Sequence, residues 1–181
     1  MSSHINESGT PRMVDVGAKS STIRRATAEG RVYIPVAVDH DDGTSESRAS
    51  EWWSPKGPVF QTAVIAGIQG AKATSSTIPL CHPLPVTRCD VTVEPADAPA
   101  AANDATAGTE IVVRCTVETD SKTGVEMEAL CGVSAACLTV YDMGKSVTHG
   151  ITIGSIELVE KTGGKRDWHR DEAGKHQPKG I

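Results

Sequence analysis

Aromatic residues are nearly missing from this chain: three tryptophans, two tyrosines and one phenylalanine, 3% of 181 residues. A nucleic-acid surface built on base stacking needs more. The net charge of −5 gives no general attraction to a phosphate backbone. No apolar run is long enough to cross a bilayer. The opening residues, MSSHINESGTPR, carry no apolar core of a signal peptide. The five cysteines, Cys81, Cys89, Cys115, Cys131 and Cys137, are odd in number and form no CxxC pair. That disfavours a disulfide framework or zinc knuckle and suits a reducing compartment. GxxxxGK followed by Ser or Thr is also missing, which excludes a P-loop. The expectation is a cytoplasmic protein with no nucleic-acid or membrane partner and no metal or cofactor.

What is present is a globular composition, 38% apolar and 23% charged, in a chain long enough for one domain with a hydrophobic core. Residues 1–20 are polar and read as a flexible segment, 21–166 as the folded domain, and 167–181 as a polar, disordered tail. Thr22 to Val38 is rich in β-branched residues and reads as a strand or bulged hairpin. A long polar loop follows over residues 39–57. Pro58 then suits the start of a helix with Val64, Ile65 and Ile68 on one face, and Gly67 and Gly70 permit close packing. VTRCDVTVEP and TEIVVRCTVETD alternate like two antiparallel strands joined by a hairpin-type loop over 96–108. Thr123 and Glu126 fit a capping box opening the longest helix, and Gly150 fits its stop. ITIGSIELVEK is the last strand. The order β-α-β-β-α-β is the ferredoxin-like pattern of an α+β fold, an antiparallel sheet with two main helices on one face.

The long helix has an apolar stripe of Leu130, Val133, Cys137 and Val140. Its other side, with Ala135, Leu138 and Thr139, is not strongly polar. A helix on one face of a sheet should show water a polar back, so this one predicts a homo-oligomer. The alternative is a back covered by the proline-rich loop or the tail. Glu126 and Glu128 stand two apart and in regular helix point to opposite sides, so they should not line one pocket together. Glu128 and Asp142 share a face but lie about 21 Å apart along the axis. A single site using both needs a second subunit. Asp142 and Lys145, three apart, form either a surface ion pair or a tuned acid–base pair. Lysines beside glycine, as in PKGP, MGKS and EKTGGKR, suit phosphate oxygens. Whether Arg24, Arg25, Lys56, Lys72, Lys145, Lys161 and Lys165 converge is not readable from order alone.

In IPLCHP, adjacent Cys81 and His82 are badly spaced for one metal, and a Cys–His catalytic pair comes from separate segments. Flanking prolines stiffen the loop. Two readings stand level: His82 points into a pocket to hold a substrate, or it is a structural histidine on a backbone carbonyl.

Taken together, MVDVGAKSSTIRRATAEGRV, KGPVFQTAVIAGIQGAKAT, IPLCHPLPVT, TGVEMEALCGVSAACLTVYDMGKSV and LVEKTGGK resemble the MoaC family, the cyclic pyranopterin monophosphate synthases of molybdenum-cofactor biosynthesis. The resemblance runs from about Met13 to about Lys165. It implies a phosphorus–oxygen lyase that converts 3′,8-cyclo-7,8-dihydroguanosine 5′-triphosphate to cyclic pyranopterin monophosphate and pyrophosphate. It also implies a homohexamer, a trimer of dimers, with sites at subunit interfaces. By the same resemblance Asp142 is the catalytic acid or base, and Lys56, Lys145 and Lys161 are active-site lysines. Leu80, Cys81, His82, Met127 and Glu128 bind substrate, and Glu126, whose family role is less certain, is grouped with them. The chain departs from the family where Pro58 replaces an aspartate and Ala73 a basic residue, and its loop from Asp39 to Trp53 is long. Other functions compatible with such a fold are a ligand-binding regulatory module, an RNA-binding domain and an inactive family member.

Overall fold

The computed structural model describes residues 8–38, 40–41, 51–96 and 108–170. Residues 1–7, residues 39 and 42–50 of the long polar loop, most of the hairpin loop read over 96–108, and residues 171–181 lie outside the described residues. Strand β1 (Thr22–Ile34) is the spine of the sheet. It pairs along its whole length with β6 (Thr109–Ser121) and on its other side with β7 (Thr152–Thr162), antiparallel in both cases. β5 (Val86–Pro95) lies outside β6, and the short β8 (Trp168–His169) outside β7, giving the order β5-β6-β1-β7-β8. Without β8 this is the ferredoxin-like order, two split βαβ units interleaved. The region read as strand or bulged hairpin is a single strand whose pairing with β7 shifts register at Thr27/Ala28 and Glu29/Arg31. Trp168 and His169, in the segment read as tail, supply β8.

The period-2 alternation explains the two faces of the sheet. Ala26, Ala28, Val32 and Ile34 of β1 and Ile111, Val113, Cys115 and Val117 of β6 point towards the helices and are buried. The opposite face is polar. There Glu29 is buried beneath Arg114 and Arg31, with Arg114 Nη2 at 2.7 Å and Arg31 Nη2 at 3.1 Å. Burial opposes the charge of Glu29, but the two guanidinium groups hold its carboxyl below the ordinary glutamate range.

Helices α1 (Val59–Lys72) and α3 (Glu126–Gly144) cover the inner face, with a single turn, α2 (Thr74–Thr77), after α1. α1 turns inward Val59, Phe60, Ala63, Gly67 and Ala71, not the expected face: Ile65 is 62% exposed. Small residues at Ala63, Gly67 and Ala71 let the backbone of α3 come close, and close packing outweighs burial of one isoleucine. A Cβ at Gly67 would stand 3.2 Å from the Gly132 carbonyl oxygen. In α3, Val133, Cys137 and Val140 are buried, Leu130 packs against them, and Leu138 is 62% exposed.

Two helix boundaries differ from expectation. Val125 is the N-cap of α3 and has no polar side-chain atom to cap with, and the Glu126 carboxylate pairs with Lys161. The helix ends at Gly144, not Gly150, with Lys145 as its C-cap. The capping of α1 is supplied from an unexpected place. Glu51, on β3 (Glu51–Ser54) beside the short β2 (His40–Asp41), accepts from the backbone N–H groups of Trp52 and Phe60 through Oε1 and of Gln61 through Oε2. Proline at the N-cap has no side-chain oxygen to offer, and this buried carboxylate does the work instead.

Gly70→Ala tests the helix contact. Alanine favours an isolated helix by about 1 kcal/mol over glycine. Here its methyl would stand 2.6 Å from the Ala135 Cβ and 2.8 Å from the Cys131 carbonyl oxygen. Urea denaturation of the variant should therefore show a net loss of about 1–3 kcal/mol; a gain in stability would contradict the packing described.

Candidate active site

The chemistry-bearing residues gather at the two ends of α3. At its N-terminal end a cavity of about 280 Å³ is lined by Leu80, Cys81 and His82 on one side and Glu126, Met127 and Glu128 on the other. The proline-bounded loop before β5 brings the first three, and the first helical turn the others. Both glutamates face the cavity, contrary to the helical-wheel expectation. The cavity sits beyond the end of the helix, and there residues on different sides of the first turn reach the same space.

His82 of IPLCHP lines the cavity, and its Nε2 lies 2.9 Å from the Val14 carbonyl oxygen, the contact of a structural histidine. A carbonyl only accepts, so Nε2 carries the hydrogen and Nδ1 is the basic nitrogen of the neutral ring. Val14, Val16 and Lys19 complete one wall, so the N-terminal segment forms part of the cavity. Lys122 Nζ holds that segment through the Gly17 carbonyl at 2.7 Å.

Glu128 is only 4% exposed. Burial pushes its carboxyl above the ordinary glutamate range, and the charge of Glu126 adds to the effect. Burial also raises the Cys81 thiol, with Glu128 and Cys131 contributing. Cys81 is therefore a protonated packing group rather than a nucleophile. Glu126, by contrast, is paired with Lys161 Nζ at 2.9 Å.

Lys56, Asp142 and Lys145 form the other cluster, at the C-terminal end of α3. Lys56 Nζ reaches Asp142 Oδ2 at 2.7 Å and the Asp142 carbonyl oxygen at 2.9 Å. Lys145 Nζ meets Oδ1 at 2.7 Å. Lys56 arrives on the hairpin of β3 and β4 (Gly57–Pro58), where Gly57 takes a φ of +109°, a conformation that favours glycine. The hairpin is held to the helix by Trp52, which fills the space a Gly144 side chain would need. Hydrogen bonds from Lys145 and then Lys56 hold the Asp142 carboxyl down at about 2, while Asp142 raises Lys145. All three side chains are solvent-exposed, so the cluster contributes little to stability. It is a concentrated set of charges rather than a structural bridge.

The expected site residues thus divide. Leu80, Cys81, His82, Glu126, Met127, Glu128 and Lys161 meet at one end of α3, and Lys56, Asp142 and Lys145 at the other. From Glu126 to Asp142 the unbroken helix keeps about 24 Å between them. Sequence reasoning missed Val14, Val16 and Lys19 as cavity residues, and Glu51 as the clamp beneath the Lys56 hairpin. The MVDVGAK stretch carried the first three; nothing local marks Glu51.

The family model for MoaC matches residues 13–164. The chain belongs to the MoaC family. Among its MoaC relatives is a cyclic pyranopterin monophosphate synthase of Xanthomonas oryzae pv. oryzae, 46% identical over 165 residues, which cover 91% of this chain and 90% of that protein. Another of that name, from Thermomicrobium roseum, is 46% identical over 171 residues, 93% of each. In Synechocystis a molybdenum cofactor biosynthesis bifunctional protein is 44% identical over 172 residues, which are 92% of this chain and 45% of that longer protein. This MoaC chain has no helix long and apolar enough to cross a membrane among its described residues.

Glu128→Gln gives a stability test of the cavity. A carboxyl raised by burial binds its proton more tightly folded than unfolded. Its stabilising contribution is complete below the ordinary value of 4.5 and is lost as pH rises through the raised folded value. The glutamine variant lacks this loss. Thermal melts of both proteins across mildly acidic to neutral pH should show the variant gaining on the wild type as pH rises. A constant difference would mean that Glu128 is not destabilised by burial.

Proposed function

We propose that this chain is a cyclic pyranopterin monophosphate synthase. Its substrate would be 3′,8-cyclo-7,8-dihydroguanosine 5′-triphosphate, and pyrophosphate its second product. The observation that carries the reading is the pairing of family membership with two charged half-sites of complementary chemistry. The cavity of His82, Glu126 and Glu128 suits a polar heterocycle, and the Lys56–Asp142–Lys145 cluster suits the reacting phosphate. The catalytic domain, read from the sequence as residues 21–166, extends to take in Val14, Val16 and Lys19 on one side and β8 on the other, and it acts in the cytoplasm, where free thiols persist.

One chain holds the half-sites at opposite ends of a rigid helix. A complete site therefore takes the cavity of one copy and the lysine cluster of another. The exposed Leu138 and Ile65 on the helix pair supply apolar surface for association, and a homohexamer arranged as a trimer of dimers satisfies every copy.

The phosphorus step is a displacement. A sugar-derived hydroxyl oxygen attacks the α-phosphorus, the bond to the β-phosphate breaks, and pyrophosphate leaves, a phosphorus–oxygen lyase reaction. Lys56, Lys145 and Lys161 neutralise the oxygens that gain charge, and no protein nucleophile is needed. Asp142 is a poor base while two lysines occupy its oxygens. Phosphate oxygens compete for those lysines, so substrate binding restores its basicity at the moment the hydroxyl proton must go somewhere. Glu128, whose buried carboxyl holds its proton more tightly than an ordinary glutamate, hydrogen-bonds the heterocycle, and His82 Nδ1 accepts or relays a proton during ring rearrangement.

Asp142→Asn should assemble and bind substrate as the wild type does, and form product more slowly by about 10²–10⁴-fold, the range for loss of a general acid–base group. The assay follows pyrophosphate and pterin together from the cyclised guanosine triphosphate. Wild-type turnover in that variant, or binding without either product in the wild type, refutes the reading. Mixing Asp142→Asn chains with His82→Ala chains should regenerate a fraction of sites with both residues intact. Verified mixed oligomers that stay inactive would rule out sharing between copies.

A further inference from the structure

All five cysteines are free thiols, and none of them reacts in the chemistry described above. Two lie together in the sheet. Cys89 Sγ on β5 stands 3.9 Å from Cys115 Sγ on β6. Val91 is the cross-strand partner of Cys115, and Val117 that of Cys89, so the two cysteines are diagonal neighbours on the inner face. Cys115 is fully buried, whereas Cys89 is half-buried on the outermost strand. The pair is thus one reachable thiol backed by one hidden thiol. The hydrogen bond with Cys115 holds the Cys89 thiol below the ordinary cysteine range, and nearby Lys72 acts in the same direction, against burial and Asp90. The same bond, with burial, pushes the Cys115 thiol far above that range.

These thiols lie directly beneath the contact between α1 and α3. The Cys115 sulfur sits where Gly132 of α3 has no side chain: a Cβ there would stand 2.5 Å from it. Val91, two residues from Cys89, bears on Gly67 of α1, with its Cγ1 3.0 Å from the place of a Gly67 Cβ. Diagonal neighbours stand roughly 7–8 Å apart, a little more than an unstrained disulfide spans. A bond between these sulfurs therefore needs one strand to shift. β6 is held on both sides, by β1 and β5. β5 is paired on one side only among the described residues, and its register already shifts between Val86 and Arg88, next to Cys89.

We infer that Cys89 and Cys115 are a reversible disulfide-forming site, oxidised by peroxide and coupled to the helix contact above it. The Cys89 thiolate attacks one peroxide oxygen. The O–O bond breaks, a sulfenic acid forms on Cys89, and the departing hydroxide takes up the thiol's proton as water. The Cys115 sulfur then attacks the Cys89 sulfur. The S–S bond forms, the S–O bond breaks, and the hydroxyl leaves with the Cys115 proton as a second water. Each sulfur gives up one electron, and the peroxide is reduced by two. Closing the sulfurs to about 2 Å draws Cys115 out of its seat at Gly132 and moves Val91 along Gly67. The strain of that shift makes the bond easy to reduce, and a small-molecule thiol reopens it by exchange. In a reducing compartment such a bond is a transient sensor rather than a staple. None of this depends on the synthase reading.

The test treats the full, reduced chain with hydrogen peroxide, alkylates the remaining thiols and maps the peptides by mass spectrometry, before and after dithiothreitol. A Cys89–Cys115 cross-link, two hydrogens lighter than the thiol pair, should form about tenfold or more faster than Cys137 is oxidised. Cys137 is as deeply buried as Cys115 and serves as the control. Dithiothreitol should reverse the cross-link, and Cys89→Ser should abolish it and leave Cys115 reduced. Amide hydrogen exchange around Gly67 and Gly132 should quicken by about threefold or more in the oxidised chain and return on reduction. The wild-type peptide map decides the bond even where the variant fails to fold. No cross-link, a cross-link between other cysteines, or a sulfinic acid on Cys89 in its place overturns the site. A reversible Cys89–Cys115 bond with unchanged exchange at both glycines overturns the coupling to the helices.

Discussion

The approach of α1 to α3 governs the rest of this structure. Gly67, Gly70 and Gly132 bring two helices close enough for backbone to meet backbone, with the Gly132 carbonyl 3.2 Å from the place of a Gly67 Cβ and the Cys131 carbonyl 2.8 Å from that of Gly70. Dispersion between closely fitted surfaces, not bulk of side chain, holds this layer together. Because α3 also rests on β1, β6 and β7, the contact fixes its position over the sheet. Both charged ends take their places from that.

Much of the fold could be read from the order of residues, because alternation and helical period are local. β1 and β6 turn alternate side chains to the core as their patterns require, and the apolar stripe of α3 is buried as expected. The errors came where a distant partner decided the outcome. Glu126 had a capping box available in its own turn but found Lys161, 35 residues away. Ile65 belonged to the more apolar side of α1, but the small-residue side was the one α3 could approach. Glu51 looked like one more charge in a polar loop, and its three backbone partners include two across the hairpin.

The site was legible as a set of residues and not as a geometry. Motif resemblance carried each residue, but spacing alone placed Glu126 and Glu128 on opposite sides, an argument that holds along a helix and fails at its end. The scattered cations are the converse case. Arg24 and Arg25 stand far along the chain from Lys161 and Lys165, yet all four line one cavity, whereas Lys56 and Lys145 converge on Asp142 instead. Several cations are thus gathered in two places, one balanced by the Asp142 carboxylate and the other lining a cavity with Glu126 as its one acidic residue.

The unbroken length of α3 also limits how sequences of this kind can change. Each residue advances the helix by roughly 1.5 Å and turns it by roughly a quarter-circle. One residue inserted between Glu128 and Asp142 would swing one end round to another side of the molecule relative to the other. Neither half-site would be altered in composition, yet the pair would no longer face matching neighbours. Such a rotation cannot be absorbed by a loop, since the helix has none, and the glycine contacts with α1 would fall out of phase together. Length variation is therefore confined to the connections around the sheet, and this helix keeps a fixed count of residues.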